Sequence, residues 1–352
     1  MRKRVAAPAS AAKEKGLPEL APGRGGYAHM WRRLRRNRVA VVSGTFILLL
    51  VIACFIAEPI AEHLLGHGPD DIFSFGANAN GKPVGPWTHV PTLPAGEPVT
   101  AKTPRTLFIL GGDGPLGRDE FLRLLAGGRT SLEVALGATA LAILIGTTLG
   151  AIAGFYGGSI DVVLSRLSEF AMGFPILFLF IAIGLTTISI RVNTVTLRGV
   201  FVPGALGLIL VIGVFNWFYL ARVVRAHVLS LREQQFIEAA RMIGARNIYI
   251  VRKHILPHLV DTIIVYGSLI VAATIMLEAA LSVFNLGIPV PNASWGNLIA
   301  TNWGTLLIPG GPTTYQTSFW TTFWPTAALF ATVFAFALFA EGLRSALDPY
   351  GS

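Results

Sequence analysis

The sequence is poor in charge and in cysteine. Only 13% of its 352 residues are charged, 53% are hydrophobic, and the mean hydropathy is +0.61. Such a chain is too apolar for an ordinary soluble domain of this length, which predicts a polytopic membrane protein. The one cysteine, Cys54, lies in an apolar run, so the chain forms neither an internal disulfide nor a cysteine-based zinc site. Val51 to Ala53, which precede it, resemble a lipoprotein cleavage box, but the polar region before them is longer than that of a signal peptide, so we do not expect lipidation.

The sequence also lacks the motifs of the common hydrolases. Its only Gly-Lys pair, Gly81-Lys82, is followed by proline and cannot end a phosphate-binding loop, which requires Gly-Lys-Ser or Gly-Lys-Thr. Neither an HExxH helix nor a GxSxG elbow is present. We therefore expect no catalytic residue, no metal and no cofactor on this chain, and no enzymatic activity of its own.

The net charge of +9 comes from basic residues that lie beside apolar runs. One example is WRRLRRNR, residues 31–38, which directly precedes the first such run. This placement favours a lipid surface, rather than nucleic acid, as the reason for the charge. Residues 1–30 are rich in Ala, Pro, Gly, Lys and Arg without apolar periodicity, and they predict a disordered cytoplasmic tail.

Six apolar runs are long enough to cross a bilayer as helices. They cover residues 39–57, 134–155, 170–190, 200–221, 262–284 and 323–340. Glycines such as those of IGTTLGAIAG, residues 145–154, suit helices in lipid because small residues let helix backbones approach closely. With both termini inside, 20 of the 28 Lys and Arg residues are cytoplasmic, as the positive-inside rule requires. The sequence thus predicts an all-α integral membrane protein with six transmembrane helices and an N-in/C-in topology.

The spans divide the chain into four predicted regions. They are the tail (1–30), a basic lead-in with the first transmembrane helix (31–57), an extracytoplasmic segment (58–129) and a core of five transmembrane helices (130–350). In the extracytoplasmic segment, residues 65–110 predict an ordered loop or a small cap. Residues 117–132 predict a helix along the membrane surface, on which Asp119 and Arg123 are spaced to pair.

The most unusual stretch of the core is EAARMIGARNIYIVRKHILPH, residues 238–258, because it places many charges between two apolar spans. Apolar spacing predicts a short amphipathic helix over residues 234–243, interrupted by Gly244. A second stripe then runs on to Pro257, which should end or kink the helix. The two predicted stripes consist of Phe236, Ala240 and Ile243, and of Ile248, Val251 and Ile255.

Two short helices joined at a glycine have too little area to fold alone. One apolar face must therefore rest on the ends of the spans while another surface is left for a partner, as in a docking lever. The alternative is a cytoplasmic loop that holds its arginines at anionic lipid.

Several polar residues of the core are candidates for a site. His254 and His258 are four residues apart and could start a metal site with Asp261, but in a basic cytoplasmic segment exposed or capping histidines are the favoured interpretation. Glu133 and Glu278 lie at or inside apolar runs, where acidic residues are functional candidates. Glu278 is the candidate for a translocation path; the alternative is a carboxyl group that is protonated or hydrogen-bonded within the bundle.

The stretch 238–258 resembles the EAA loop of permease subunits in binding-protein-dependent ABC importers. The pattern of that loop is Glu-Ala-Ala, a glycine four residues after the second alanine, and a later Leu-Pro. These positions are filled here by Glu238, Ala239, Ala240, Gly244, Leu256 and Pro257. Further pieces, among them GRDEFLRLLAGGRTSLEV (117–134) and PNASWGNLI (291–299), resemble in the same order the C-type permease of the dipeptide, oligopeptide and nickel group.

This resemblance implies a type I ABC importer permease in a prokaryotic cytoplasmic membrane, with a coupling loop at about 222–260. It implies four partner subunits of three kinds, besides the lipid bilayer, and no nucleic acid. They are a homologous B-type permease, two cytoplasmic ATPases that hold ATP and Mg, and an extracytoplasmic substrate-binding protein. The implied substrates are di- and oligopeptides, with nickel chelates and glycans left open.

The resemblance also implies roles for the residues of the loop. Its first helix, which includes Arg241, would sit in a cleft of one ATPase, with Glu238 at the ATPase surface. Ala239 and Ala240 would allow close approach, and Gly244 would supply the turn. The substitution Gly244→Asp is accordingly expected to abolish ATP-driven uptake.

Two other classes of protein stay open at this point. The first is an ion-coupled secondary transporter or channel subunit that uses Glu278 as a proton or ion site. The second is a membrane-embedded enzyme, for which the sequence offers no catalytic pair.

Overall fold

The structure is a computed structural model that describes residues 34–93, 99–100, 102–173, 175, 177–178, 204–307 and 319–347. The predicted tail and most of the predicted third span, 170–190, lie outside the described residues. The main helices are α1 (Arg38–Leu65), α2 (Glu120–Tyr156), α3 (Gly158–Gly173), α4 (Ala205–Phe215), α5 (Phe218–Leu231), α6 (Gln235–Met242), α7 (Asn247–Val283), α8 (Trp295–Leu307) and α9 (Phe319–Leu347). Two small antiparallel sheets pair β1 (Thr88–Pro91) with β2 (Arg105–Phe108) and β3 (Gly112–Asp113) with β4 (Arg118–Asp119).

Four of the described helices, α1, α2, α7 and α9, are long and apolar enough to cross a membrane. Helices α4 and α5 form a fifth candidate span if their bend of 43° is allowed. Helices α1, α2, α7 and α9 correspond to the predicted spans one, two, five and six, and α4 with α5 corresponds to span four. The described chain is therefore a helical membrane protein.

Helix α2 is longer than the second predicted span. It begins at Glu120, where the side chain of Asp119 accepts hydrogen bonds from the first amide groups, and it continues to Tyr156. The prediction of a separate helix along the membrane surface at 117–132 is therefore wrong: most of this stretch is the first part of α2. The boundary between the predicted regions 58–129 and 130–350 falls inside the same helix.

Three glycines bring the backbones of α2 and α5 into close contact. They lie four residues apart, on one face of α2, at Gly146, Gly150 and Gly154. A Cβ atom built on Gly150 would lie 2.5 Å from the carbonyl oxygen of Ala221, and one on Gly154 would lie 2.8 Å from that of Arg225. Any larger side chain would push the two helices apart, so the glycine spacing noted in the sequence is what allows this seam.

The first and last candidate spans also pack on each other. The side chain of Asn37 accepts hydrogen bonds from the backbone of Val39 and Ala40 at 3.0 and 3.2 Å, which starts α1. Its amide nitrogen donates to the carbonyl oxygen of Gly342 in α9 at 3.3 Å. One side chain therefore both caps α1 and joins it to α9.

The segment between α1 and α2 is ordered around a small hydrophobic cluster. Phe73, Val90 and Phe108 are buried together, and the rings of Phe73 and Phe108 meet edge to face at 5.2 Å. Strands β1 and β2 contribute two of these residues. This cluster matches the small cap predicted for residues 65–110.

Candidate coupling site and polar clusters

The turn between α6 and α7 has a defined geometry. The backbone nitrogen of Gly244 donates to the carbonyl oxygen of Arg241 at 2.9 Å, and that of Ala245 donates to Ala240 at 3.0 Å. This is the Schellman arrangement, which needs a left-handed residue just after the helix, and Gly244 has a φ of 80°. Helix α7 then begins at Asn247. The structure thus contains the predicted helix, glycine and second helix in that order.

The buried face of α6 differs from the predicted one. Ile237 and Ala240 are buried, whereas Phe236 is 38% exposed and Ile243 is 85% exposed. The predicted stripe of Phe236, Ala240 and Ile243 is therefore wrong in two of its three members. The physical reason is that α6 carries apolar side chains on two faces, and only one of them rests on the bundle.

The start of α7 shows the same kind of difference. Ile250 and Ile255 are buried and Val251 is partly buried, while Ile248 is exposed. Of the two outcomes predicted at Pro257, an end or a kink, the end does not occur. Leu256 and Pro257 continue the helix directly after a π-helical turn at Val251–Ile255. The wider turn lets the helix continue into proline, which lacks an amide proton.

Helix α6 is attached to three longer helices. Its buried residues Ile237 and Ala240 belong to a cluster that includes Phe155 of α2, Val228 of α5 and Leu259 of α7. The guanidinium group of Arg241 lies 5.6 Å from the centre of the Phe155 ring, a cation–π contact. Just before α6, Arg232 donates to the carbonyl oxygen of Gly154 at 3.2 Å.

The two histidines of this segment make local contacts. Nδ1 of His258 lies 2.6 Å from the carbonyl oxygen of His254, and the ring of Phe236 stacks on His258 at 5.6 Å. Across the described ranges, no group of three or more His, Cys, Asp or Glu residues could hold a metal ion. His258 is exposed and His254 is half-buried, and the interpretation of both as exposed or capping histidines stays a prediction.

Glu278 lies in a cradle of hydroxyl groups. Its carboxyl group accepts hydrogen bonds from Ser294 at 2.8 Å, from Ser282 at 3.0 Å and from Ser131 at 3.3 Å. The residue is fully buried. This is the hydrogen-bonded arrangement that the sequence left as one alternative for Glu278.

A pocket with several polar lining residues lies elsewhere in the bundle. It has a volume of about 510 Å³ and lies between α5, α7 and α9. Its polar lining residues include Tyr219, His227, Asp261, Tyr266 and Arg344. Glu278 does not line it, and the role of Glu278 in a translocation path stays a prediction.

A second polar cluster surrounds the start of α2. Arg123 is almost completely buried, with its guanidinium group 2.6 Å from carboxylate oxygens of both Asp70 and Asp113. Asp113 also accepts a hydrogen bond from Asn302 of α8 at 3.1 Å. The predicted pairing of Arg123 with Asp119 is therefore wrong, because Asp119 faces the amide groups of its own helix and the ring of His67 instead. The other candidate acid, Glu133, pairs with Arg129 at 3.0 Å.

His67 is held at both of its ring nitrogens. Nε2 lies 3.1 Å from a carboxylate oxygen of Asp119, and Nδ1 lies 3.2 Å from the carbonyl oxygen of Leu65. The hydroxyl group of Thr106 also lies 3.2 Å from Nδ1, so the ring has hydrogen-bond partners in both its neutral and its charged form. Burial of the ring opposes its charge, but the hydrogen bonds to Asp119 and Leu65 and the negative charge of Asp119 outweigh it and raise the pKa of His67.

The raised pKa of His67 predicts a pH-dependent stability. The charged ring stabilises the fold fully below the pKa of about 6.5 that it has in the unfolded chain, and this stabilisation is lost as the pH rises through the higher pKa of the folded state. We expect the unfolding temperature of the wild type to exceed that of His67→Gln most at about pH 6, with the difference shrinking above that. Thermal unfolding of both proteins in detergent across this range measures it. A difference that grows with pH would contradict the charged pair.

Comparison with known proteins agrees with these features of a helical membrane protein. Residues 146–350 match a family described as the inner membrane component of binding-protein-dependent transport systems, and residues 27–78 match the N-terminal transmembrane domain of oligopeptide transport permease C. The glutathione transport system permease protein GsiD of Pectobacterium atrosepticum is 30% identical over 323 residues, which cover 92% of this chain and 91% of that protein. The dipeptide transport system permease protein DppC of Bacillus subtilis is 30% identical over 319 residues, 91% of this chain and 84% of its own. The oligopeptide transport system permease protein OppC of Haemophilus influenzae is 35% identical over 238 residues, 68% and 69% of the two chains.

These matches cover both the bundle and the N-terminal span. The chain is a permease of the ABC transporter class, and it belongs to the family of inner membrane components of binding-protein-dependent transport systems. Within that family it is a C-type permease.

Proposed function

We propose that the chain is the C-type transmembrane subunit of an ATP-driven importer of di- and oligopeptides, a class that includes tripeptides such as glutathione. The proposed substrate is supported by relatives whose names specify glutathione, dipeptides and oligopeptides. The complete subunit would have six transmembrane helices with both termini inside, in the prokaryotic cytoplasmic membrane. A B-type sister permease, two ATPases that hold ATP and Mg, and an extracytoplasmic binding protein would complete the transporter.

The observation that carries this proposal is the two-faced helix α6. One face, Ile237 and Ala240, is buried on the bundle. The opposite surface exposes Glu238, Ala239 and the apolar side chains of Met242 and Ile243, at 82% and 85% exposure. Because α6 lies outside the candidate spans, lipid does not account for two adjacent apolar side chains this exposed, and a protein partner that covers them does. The cytoplasmic position of α6 in the proposed topology makes an ATPase the partner.

The contacts of α6 provide a route for movement. When the ATPases close, α6 and the Gly244 turn would move as one body, because the Schellman hydrogen bonds fix the turn. Arg241 and Arg232 link this body to the end of α2 at Phe155 and Gly154. Since α2 is in backbone contact with α5 along the glycine seam, both helices would follow. The spans would then open alternately to each side.

The same alanine-to-leucine substitution, made at Ala239 and at Ala240, tests the assignment of the two faces of α6. Ala239→Leu adds bulk on the exposed face, so we expect ATPase association to weaken about tenfold while the unfolding temperature stays within about 2 °C of the wild type. Ala240→Leu adds the same bulk in the buried cluster, where overpacking costs about 1–3 kcal/mol, and should lower the unfolding temperature by several degrees. Co-purification of the ATPases and thermal unfolding in detergent measure the two effects. Equal effects of both variants in both assays would refute the two-face assignment.

Reconstitution tests the proposed function as a whole. The complete transporter in proteoliposomes should take up labelled dialanine, trialanine or glutathione only with both internal ATP and external binding protein. This chain reconstituted alone should be inactive under a proton or sodium gradient, since it would form half of a channel. Gradient-driven uptake by the chain alone would support the ion-coupled transporter instead.

A further inference from the structure

The carboxyl group of Glu278 joins three separate parts of the bundle. Its hydrogen-bond donors are Ser131 of α2, Ser282 of α7 itself, and Ser294, which directly precedes α8. A buried carboxyl group is costly unless its oxygens are hydrogen-bonded, and here hydroxyl donors supply the bonds. Helix α8 is thereby tied to α2 and α7 at one point.

Two of these hydroxyl groups also accept hydrogen bonds from backbone amides at the start of α8, so they connect Glu278 to the backbone of that helix. The oxygen of Ser131 accepts a hydrogen bond from the amide of Trp295 at 3.1 Å, and the oxygen of Ser294 accepts one from the amide of Asn297 at 3.1 Å. Each hydroxyl has one proton, which it directs to Glu278, so its lone pairs point at those amides. Ser282 packs beside Gly287 and Gly296, but among the described residues its hydroxyl oxygen accepts no such amide hydrogen bond, and its bond to Glu278 stays within α7.

The start of α8 in turn holds the loop 284–294. The side chain of Asn297 accepts from the amide of Ser294 at 2.9 Å and donates to the carbonyl oxygens of Ile288 and Asn292 at 3.2 and 2.7 Å. Arg123 donates to the carbonyl oxygen of Pro291 at 3.2 Å. Between these fixed points the loop exposes Val290, at 68%.

We propose that Glu278 is a positioning residue: through Ser294 and Asn297 it fixes the loop 284–294 in the shape that receives the substrate-loaded binding protein. This rests on the proposed function, in whose topology α7 runs outward and the loop faces the binding protein. An exposed apolar tip on a fixed backbone suits a protein partner because little conformational entropy is lost on binding. Glu278 thus contributes to coupling without touching the substrate.

The test compares serines that donate to the same carboxyl group. The complete transporter is assembled in proteoliposomes, and ATPase activity is measured against the concentration of binding protein saturated with dialanine, trialanine and glutathione. Ser294→Ala should raise the half-maximal concentration of binding protein about tenfold, with basal ATPase activity within twofold of the wild type. Ser282→Ala, the matched control, should change neither value more than twofold. Ser294→Thr keeps the hydroxyl group and should restore the wild-type value.

The outcomes separate this inference from the proposed function. Equal shifts for Ser294→Ala and Ser282→Ala, no shift for either, or a loss of basal activity and of assembled complex with Ser294→Ala would overturn the positioning role. So would a Glu278→Gln transporter that keeps full ATPase stimulation but loses uptake, because that result would make Glu278 part of the path. If the binding protein does not stimulate the wild type at all, the proposed function itself fails.

Discussion

Gly244→Val is expected to reduce ATP-driven uptake about tenfold while the protein still inserts and folds. Gly244 has a φ of 80°, a left-handed conformation that costs ordinary residues about 1–2 kcal/mol and β-branched ones more. This cost destabilises the Schellman turn, which orients α6. The exposed face of α6 would therefore be misoriented for much of the time. Uptake in proteoliposomes, with the amount of inserted protein measured in parallel, gives the result.

Further substitutions of Gly244 separate the effect of its backbone conformation from the effect of side-chain volume. Apart from Gly244 and its two neighbours in the chain, no described residue has an atom within 4 Å of a Cβ built on Gly244, so the turn has room for a side chain. Asn tolerates the left-handed region, and Gly244→Asn should keep at least about half of the uptake. For Gly244→Asp, the resemblance implied a complete loss of uptake, but the open space at the turn leads us to expect a value between those of Gly244→Val and Gly244→Asn. Its backbone fits the left-handed conformation, but its side chain adds a charge beside the exposed face of α6. Uptake of Gly244→Val equal to the wild type would show that the turn is not needed for coupling.

Gly150→Ala is expected to destabilise the protein by roughly 2 kcal/mol, because it overpacks the seam between α2 and α5. The new methyl group would lie 2.5 Å from the carbonyl oxygen of Ala221 and 2.9 Å from the Cβ atom of Val224. Neither atom is the end of a flexible side chain, so the backbones must separate. A lower unfolding temperature in detergent, with less monodisperse protein after heating, measures the loss.

A second buried glycine provides the control for the seam. A Cβ on Gly267 of α7 would meet only the terminal methyl group of Ile143 at 3.0 Å, which can move aside. Gly267→Ala should therefore be neutral or slightly stabilising, since alanine favours the helix. If both variants lose stability equally, the close backbone contact at Gly150 is not the cause.

The candidate spans in the described residues could be predicted from the sequence because their signal is local. A long apolar run crosses a bilayer whatever its neighbours are, and a glycine after an amphipathic segment predicts a turn such as that at Gly244. The faces of α6 could not be predicted in this way. Periodicity counts apolar residues without distinguishing those that pack on the bundle, such as Ile237, from those left for a partner, such as Ile243.

The polar clusters could not be predicted, because they are formed by residues that are distant from one another in the sequence. The spacing of Asp119 and Arg123 favoured a local pair, but Asp70 and Asp113 lie closer to the guanidinium group of Arg123 once the cap folds back on α2. The cradle of Glu278 likewise includes Ser131, which is 147 residues away in the chain. The position of Glu278 inside an apolar run makes it a candidate, but its neighbours in the sequence do not indicate which hydroxyl groups hydrogen-bond to it.

Crosslinking at Met242 tests most directly whether α6 docks on an ATPase, as proposed. Benzoylphenylalanine is introduced in place of Met242 on the exposed face of α6 and, as a control, in place of Leu64, which is 78% exposed near the end of α1. On illumination of membranes that contain the complete transporter, the Met242 position should crosslink to an ATPase subunit and the Leu64 position should not. Absence of an ATPase crosslink at Met242, or equal crosslinking at both positions, would contradict the docking of α6 on an ATPase.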